Sequence, residues 1–226
     1  ESGVAVFCRD RESSEQVWSS EEGYPGDPFY REYYRDIGYD LPQDYINDYV
    51  QPDGTRKNTG IKYYRVTGKI DKKQPYIRAM AQERTLIHAQ HFVNCRIQQI
   101  SRLAKLFGDT PPIIVSPYDA ELLGHWWYEG PDWLSLVLRK VLYDQNIYQL
   151  CNPYEYLQFH PINQVATPSA SSWGAQGYNN FWLNPTNDKT YRHLHHATAQ
   201  MIELAHLFKV PYHGQHQALN QAASEL

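Results

Sequence analysis

Apolar positions along the chain switch between two periods, and the switches mark its elements. Gly3–Cys8, GVAVFC, is a short apolar run of buried-strand type that ends in Arg9-Asp10. The polar stretch 11–28 contains VWSSEEGYPGDP, whose glycines and prolines specify turns. FYREYYRDIGYD mixes aromatic and charged residues and predicts a short helix or an ordered loop. Turns at Asp53-Gly54 and Thr59-Gly60 precede IKYYRVTG, which is β-branched and aromatic and predicts a strand. KIDKKQP is a solvated charge run. From Ala79 to Phe107 the set Leu86, Val93, Ile97, Ile100 and Leu103 keeps helical spacing, and Gly108-Asp109 ends that helix. PPIIVS then predicts a second strand. Pro131, with no N–H to lose and a preset φ, opens a helix carrying Trp133, Leu134, Val137, Leu138 and Val141.

Strand, polar turn and helix, repeated, predict an α/β architecture with a largely parallel sheet, whose chemistry collects at the carboxyl ends of the strands. Beyond Tyr148 the chain changes character: TPSASSWGAQGYNNFWLNP is rich in small and amide residues. Two helical segments follow, Asp188–Phe208 and about Gly214–Leu226. Internal repeats and Gly-rich phosphate loops are both missing from the sequence. Both ends look cut, since GVAVFC begins almost at once and the last amphipathic stretch stops without a cap.

Composition narrows the function classes. A net charge of −4 over 226 residues offers no basic patch for nucleic acid. No run approaches the roughly 18 apolar residues of a membrane span. Cys8, Cys95 and Cys151 are scattered and odd in number, the pattern of reduced thiols in a cytosolic protein. Nineteen Tyr and six Trp, many in polar Gly/Pro-rich stretches, supply flat apolar faces with polar handles, suited to stacking on sugar rings or to packing loops on a core.

Three groups could carry chemistry. The first is SPYDAELLGHWWYEGP, 116–131, at the exit of the second strand. Asp119 and Glu121 stand i, i+2 there, so an extended backbone turns both carboxyls the same way. Beside Trp126, Trp127 and Tyr128 such an acid is expected to be partly desolvated and raised toward general-acid range. A turn-forming Asp and a capping Glu are the plainer reading of the same spacing. His125, next to this turn, could orient a carboxylate or donate to a sugar hydroxyl. The second group is SSWGAQGYNNFW, where Trp173 and Trp182 are separated by glycines and amides. This suits either a sugar site or a packing cluster. The third is the histidines, including His88 and His91 on one helix and HLHH at 193–196. No H-E-x-x-H occurs and no carboxylate completes a ligand set, so neither metal nor cofactor is expected. No G-x-S-x-G elbow is present for a serine triad.

YDAELLGHWWYEGP and SSWGAQGYNNFW together resemble the fourth and fifth signature regions of glycoside hydrolase family 57. RDRESSEQVWSSEEGYPGDPFYREYYRDIGYD resembles its 1,4-α-glucan branching subgroup, and the likeness spans essentially the whole chain. That resemblance implies a partial (β/α)7 barrel over residues 1–165 and the start of a helical domain over 166–226. It makes Asp119 the general acid/base and Arg9, Gly26, Trp173 and Trp182 substrate-contacting positions. His125 and Trp126 lie inside the acid/base region, and Glu121 becomes a supporting residue. The implied substrate is an α-glucan such as glycogen, amylose or starch. The implied reaction is α-1,4 cleavage with transfer to a 6-hydroxyl, with 4-α-glucanotransferase or α-amylase activity as alternatives. A glucan-binding module without catalysis is a further alternative for the segment alone. The family's nucleophilic Glu is expected upstream of Glu1.

Overall fold

The computed structural model of the chain describes residues 3–19, 22–49, 53–172 and 177–226. The chain forms two compact units, Glu1–Pro161 and Ile162–Leu226.

The core of the first unit is built on two helices. α4 (Arg78–Phe107) and α5 (Gly130–Tyr143) pack along their length, bringing Ala81, Ala89, Phe92 and Val93 against Trp133, Val137 and Val141. Trp133 is the hub. Its ring meets Phe92 edge-on at 5.1 Å, Trp127 at 5.2 Å and Tyr24 at 6.0 Å, the offset contacts that ring quadrupoles favour. Pro131 lies in the first turn of α5, as expected. The buried face of α4 differs from the expected one. Leu86 is half exposed, while Thr85, Arg96 and Gln99 are buried. Polar partners explain the rotation: Arg96 pairs with Glu12 at 2.8 Å, and the Gln99 amide donates to Asp10 at 2.7 Å. Both partners belong to the start of α1 (Arg11–Trp18), where Asp10 also caps the helix by accepting from Ser13 N–H at 2.7 Å.

The expected parallel strands are not formed as ladders. Among the described residues, backbone pairing outside helices amounts to isolated bridges. Residues 3–10 and 112–118 carry no regular secondary structure, and Asp10 N–H donates to Val115 C=O at 2.8 Å. Tyr118 Oη–H donates to Ser13 C=O at 2.9 Å, and Ser116 and Ser13 hydroxyls bond at 2.6 Å. A parallel ladder needs repeated bonds, and here a single one crosses. Val4 and Val6 are accordingly 75% and 60% exposed. The barrel implied by the resemblance is therefore not visible in the chain.

IKYYRVTG pairs as well, but antiparallel. Residues 28–32, 61–67 and 74–76 exchange backbone bonds, among them Glu32 N–H to Tyr64 C=O at 2.9 Å, Val66 N–H to Tyr30 C=O at 2.8 Å and Tyr76 N–H to Tyr63 C=O at 2.9 Å. Pro28, Gly60, Gly68 and Pro75 keep each run short. FYREYYRDIGYD is loop through Asp36 and helix from there (α2, Ile37–Asp40), followed by α3 (Gln43–Ile46). Three helices lie outside the expectations: α1, in the stretch 11–28 read as a polar connection, α3, and α6 (Pro153–Phe159). Asn152 and Glu155 form a reciprocal capping box around α6, a signal present in N-P-Y-E.

Gly23 stands where a backbone crosses closely. A Cβ there would lie 2.4 Å from Ser19 O and 2.8 Å from Val17 O. Gly23→Ala should lower unfolding free energy by about 1–3 kcal/mol in a denaturant titration of the whole protein, because backbone has to move to admit the methyl.

In the second unit, α7 (Asp188–Leu207) and α8 (His213–Glu225) contact each other. The expected spans were Asp188–Phe208 and about Gly214–Leu226, within a residue at each end. Ahead of α7 the chain turns on amides: Asn184 N–H donates to Asn187 Oδ1, and Thr186 N–H to Asn184 Oδ1, both at 2.9 Å.

Candidate active site

Asp119 follows the irregular segment 112–118 and stands just before a one-turn 3-10 helix, Ala120–Leu122. Its side chain is exposed, as is that of Glu121. The expected desolvation beside Trp127 does not occur, because Trp127 turns inward and is 1% exposed, filling the core next to Trp133. The turn is tight: Trp127 N–H donates to Leu122 C=O at 2.8 Å, Trp126 N–H to Glu121 C=O at 3.1 Å, and Gly124 (φ +99°) N–H to Trp127 C=O at 2.9 Å. Trp126, the neighbour of the buried Trp127, thereby faces outward and is 46% exposed.

The desolvated carboxyl of this region is Glu129, at the end of the same turn, and composition gave no hint of it. Burial pushes its pKa above the ordinary carboxylate range; bonds from Tyr76 and Arg31 pull the other way and are outweighed. Glu129 Oε1 accepts from Arg31 N–H at 3.3 Å, and the Arg31 guanidinium covers the Tyr128 ring at 3.7 Å. The carboxyl thus ties the loop 28–36 to the turn that carries Asp119.

That loop brings Tyr33 to the expected site residues. Tyr33 lies 4.3 Å from Trp126, centroid to centroid, and its hydroxyl bonds His125 Nε2 at 3.1 Å. On the other side of the turn, Tyr118 and Ser116 dock on Ser13, placing the Arg9-Asp10 exit alongside. Arg9 contributes to a cleft of about 920 Å³ that also includes Gln16, Trp18, Glu22, Tyr24 and His91. Asp10, next to Arg9 in the chain, is held below the ordinary Asp range: burial works to raise it, but hydrogen bonds from Ser13 and Gln99 prevail.

Gly26 closes a short 3-10 turn, Tyr24–Gly26, and a Cβ there would meet nothing within 4 Å. The loop around it is held from beneath by α4. Tyr24 Oη bonds His91 Nδ1 at 2.8 Å and Tyr30 Oη bonds His88 Nδ1 at 2.7 Å. Tyr24 also stacks on His88 at 4.6 Å, and His88 Nε2 faces Asp27 at 3.6 Å. Burial keeps the His88 pKa below the usual imidazole range, with Asp27 opposing, so the ring is neutral near pH 7 and can accept the Tyr30 hydroxyl proton in a hydrogen bond. The spacing H-A-Q-H, considered for metal, is explained by this pairing with two tyrosines. Among the described residues, no three His, Cys, Asp or Glu side chains converge on a metal position.

Trp182 lies in the second unit, 62% exposed and edge-on to Phe181 at 6.0 Å; its carbonyl accepts from Asn187 Nδ2 at 3.0 Å. Trp173 falls outside the described residues. No described helix is long and apolar enough to cross a membrane.

No protein-family model matches the chain. Individual relatives do. The 1,4-α-glucan branching enzyme of Thermococcus kodakarensis is 32% identical over all of this chain, which spans 31% of that enzyme's length. Its crystal structure, solved in complex with glucose, superposes on 96% of this chain and 36% of the enzyme with a TM-score of 0.75 at 30% identity. The crystal structure of the α-amylase AmyC from Thermotoga maritima superposes on 92% of this chain and 38% of its own, with a TM-score of 0.73 at 43% identity. The chain spans about a third of the length of the relatives it matches. Its homologues are the 1,4-α-glucan branching enzymes of glycoside hydrolase family 57, to which it is a partial match.

Proposed function

We propose that this segment supplies the proton-shuttling half of a retaining 1,4-α-glucan branching site. The observation that carries the reading is an exposed carboxylate, Asp119, at the start of the turn Ala120–Leu122. In the chain it follows Tyr118, which docks on Ser13 close to the Arg9 exit, and precedes His125 and Trp126. The whole chain aligns with a branching enzyme at 32% identity, which supports the same assignment.

The chemistry follows from retention. Two carboxyls about 5–5.5 Å apart are needed, one to attack the anomeric carbon and one to move protons. Asp119 gives its proton to the departing glycosidic oxygen while a glutamate outside this chain forms the glucosyl ester. As a carboxylate it then takes the proton of the 6-hydroxyl of a second glucan chain, which attacks and releases the ester. Arg9 and Gly26 line the path of the glucan. Trp173 and Trp182 provide further plates from the later part of the chain, and Glu121 supports the turn. The barrel is completed by the rest of the protein, with residues 1–165 forming its later part and 166–226 opening a helical domain. The three free cysteines suit the cytosol, where glucan stores are made.

The test is product linkage. The whole protein, incubated with amylose, should generate α-1,6 anomeric signals in proton NMR without a matching rise in reducing ends. The 43% identity with the Thermotoga α-amylase favours a second reading, hydrolysis. Reducing ends appearing with no α-1,6 signal would establish that outcome and end the branching proposal.

A further inference from the structure

A proton shuttle works only where the segment that carries it holds still, and the turn that carries Asp119 has a buried carboxyl at its far end. We propose that Glu129 is a positioning residue for glucosyl transfer, the clamp that fixes this turn against the antiparallel piece formed by residues 28–32, 61–67 and 74–76. The assignment rests on the reading of Asp119 as the proton shuttle.

The turn is closed from end to end. Leu122 N–H donates to Asp119 C=O at 3.2 Å, Trp127 N–H to Leu122 C=O at 2.8 Å, and Gly130 N–H to Trp127 C=O at 2.9 Å. Its two legs touch, since a Cβ on Gly130 would lie 3.1 Å from Leu123 Cα. The Asp119 side chain does not cap the 3-10 helix that follows it, so the backbone of the turn is what aims the carboxyl. A shift at Glu129 is thereby passed to Asp119 within one hydrogen-bonded unit.

Glu129 holds this unit from inside. It is 2% exposed, its Oε1 accepts from Arg31 N–H at 3.3 Å, and the Tyr76 hydroxyl bonds the same carboxyl. Residues 61–67 form the middle run of the antiparallel piece, with Arg31 on one outer run and Tyr76 on the other. One carboxyl therefore spans both edges of the piece. Tyr30, fully buried, adds to the contact by meeting Trp127 at 5.5 Å. A leucine of similar size would fill the same space without the cost of desolvating a carboxyl. What the acid adds is direction: an acceptor with two fixed donors allows one register of turn and piece, whereas apolar packing alone lets them slide. A reacting group displaced by about 1 Å can lose about 10²-fold in rate.

The test uses the whole protein and two substrates: amylose, whose leaving oxygen needs a proton, and maltosyl fluoride, whose leaving fluoride does not. Glu129→Leu should lower kcat for transfer from amylose about 30-fold and leave KM within about twofold of wild type, because a misplaced shuttle slows the chemical step. The glucosyl ester should still form from the fluoride within about twofold of the wild-type rate, since that step bypasses Asp119. Burial favours the neutral form of Glu129. Glu129→Gln, which keeps the shape and the acceptor, should therefore bring amylose transfer back to within about threefold of wild type. Tyr76→Phe, which drops one donor and keeps the ring, should show the same split between substrates at about threefold, and decides the matter if the leucine variant does not fold. The proposal falls if Glu129→Leu, or Tyr76→Phe in its place, keeps the wild-type kcat on amylose. It falls equally if ester formation from the fluoride slows as much as transfer from amylose, or if Glu129→Gln is as slow as Glu129→Leu. An Asp119→Asn protein with normal amylose turnover removes instead the reading on which the clamp rests, a result separate from all of these.

Discussion

Asp119→Asn in the whole protein should cut glucosyl transfer to amylose by on the order of 10³-fold, equivalent to about 4 kcal/mol of barrier. The amide matches the carboxyl in shape, so substrate binding should survive and the loss should fall on kcat. The residue's two jobs differ in how far a substrate can replace them. Protonation is needed only when the leaving oxygen is a poor leaving group, so a maltosyl fluoride should form the glucosyl ester almost as fast with the variant as with wild type. The ester should then persist, because no base remains to deprotonate the incoming 6-hydroxyl, and mass spectrometry of the intact protein should find it. An Asn variant that turns over amylose normally, or one whose ester forms as slowly from the fluoride as from amylose, would remove Asp119 from the chemistry. Its exposure suits the role: a shuttle has to reach substrate.

Asp36→Ala should destabilise the protein by about 3–5 kcal/mol, the range for stripping one partner from a buried charged network. Asp36 is 2% exposed and accepts from Gly38 N–H, Thr59 N–H and Gly60 N–H at 2.9 Å and from the Thr59 hydroxyl at 2.8 Å, with Lys62 at 3.4 Å. Gly38 packs so closely that a Cβ would sit 2.0 Å from Lys57 O. The carboxylate therefore fixes the loop 57–62 against α2. Burial works to raise its pKa, but the bonds from Thr59, Gly38 and Gly60 prevail and hold it down to about 2, against an ordinary 3.8. A depressed acid stabilises the folded state above its unfolded pKa and stops doing so as pH falls through the folded one. Wild type should thus lose about 2 kcal/mol between about pH 5 and pH 1, and the variant should show a flatter curve there. Amides of 57–62 should exchange faster in the variant by hydrogen exchange. Equal acid sensitivity in both proteins would overturn the account.

Helices were legible in the sequence because their signals are local. α4, α5, α7 and α8 begin and end within a residue or two of where period, Pro131 and Gly108 place them. The face that α4 buries was not legible. Arg96 and Gln99 enter the interior only because Glu12 and Asp10, more than eighty residues away, meet them. GVAVFC and PPIIVS were expected as strands and form no ladder, because strand pairing depends on neighbours that a single stretch cannot announce. IKYYRVTG accordingly found antiparallel partners, while PPIIVS accepts one bond, from Asp10 just past GVAVFC. The site shows the same division. Asp119, His125 and Trp126 stand in one contiguous run and could be read together. Tyr33 joins them only through folding and was lost among nineteen tyrosines; Glu129 stands in the same run, but its burial depends on Arg31 and Tyr76 from distant segments.

The support of the Gly26 loop by Tyr24–His91 and Tyr30–His88 has a bearing on engineering. The loop does not hold its own shape; two imidazoles one turn apart on α4 set it. GYPGD grafted alone onto another scaffold would arrive as a floppy ribbon, whereas a transplant that included the matching pair of histidines would carry its mould along. The transferable unit is the loop together with that turn of helix.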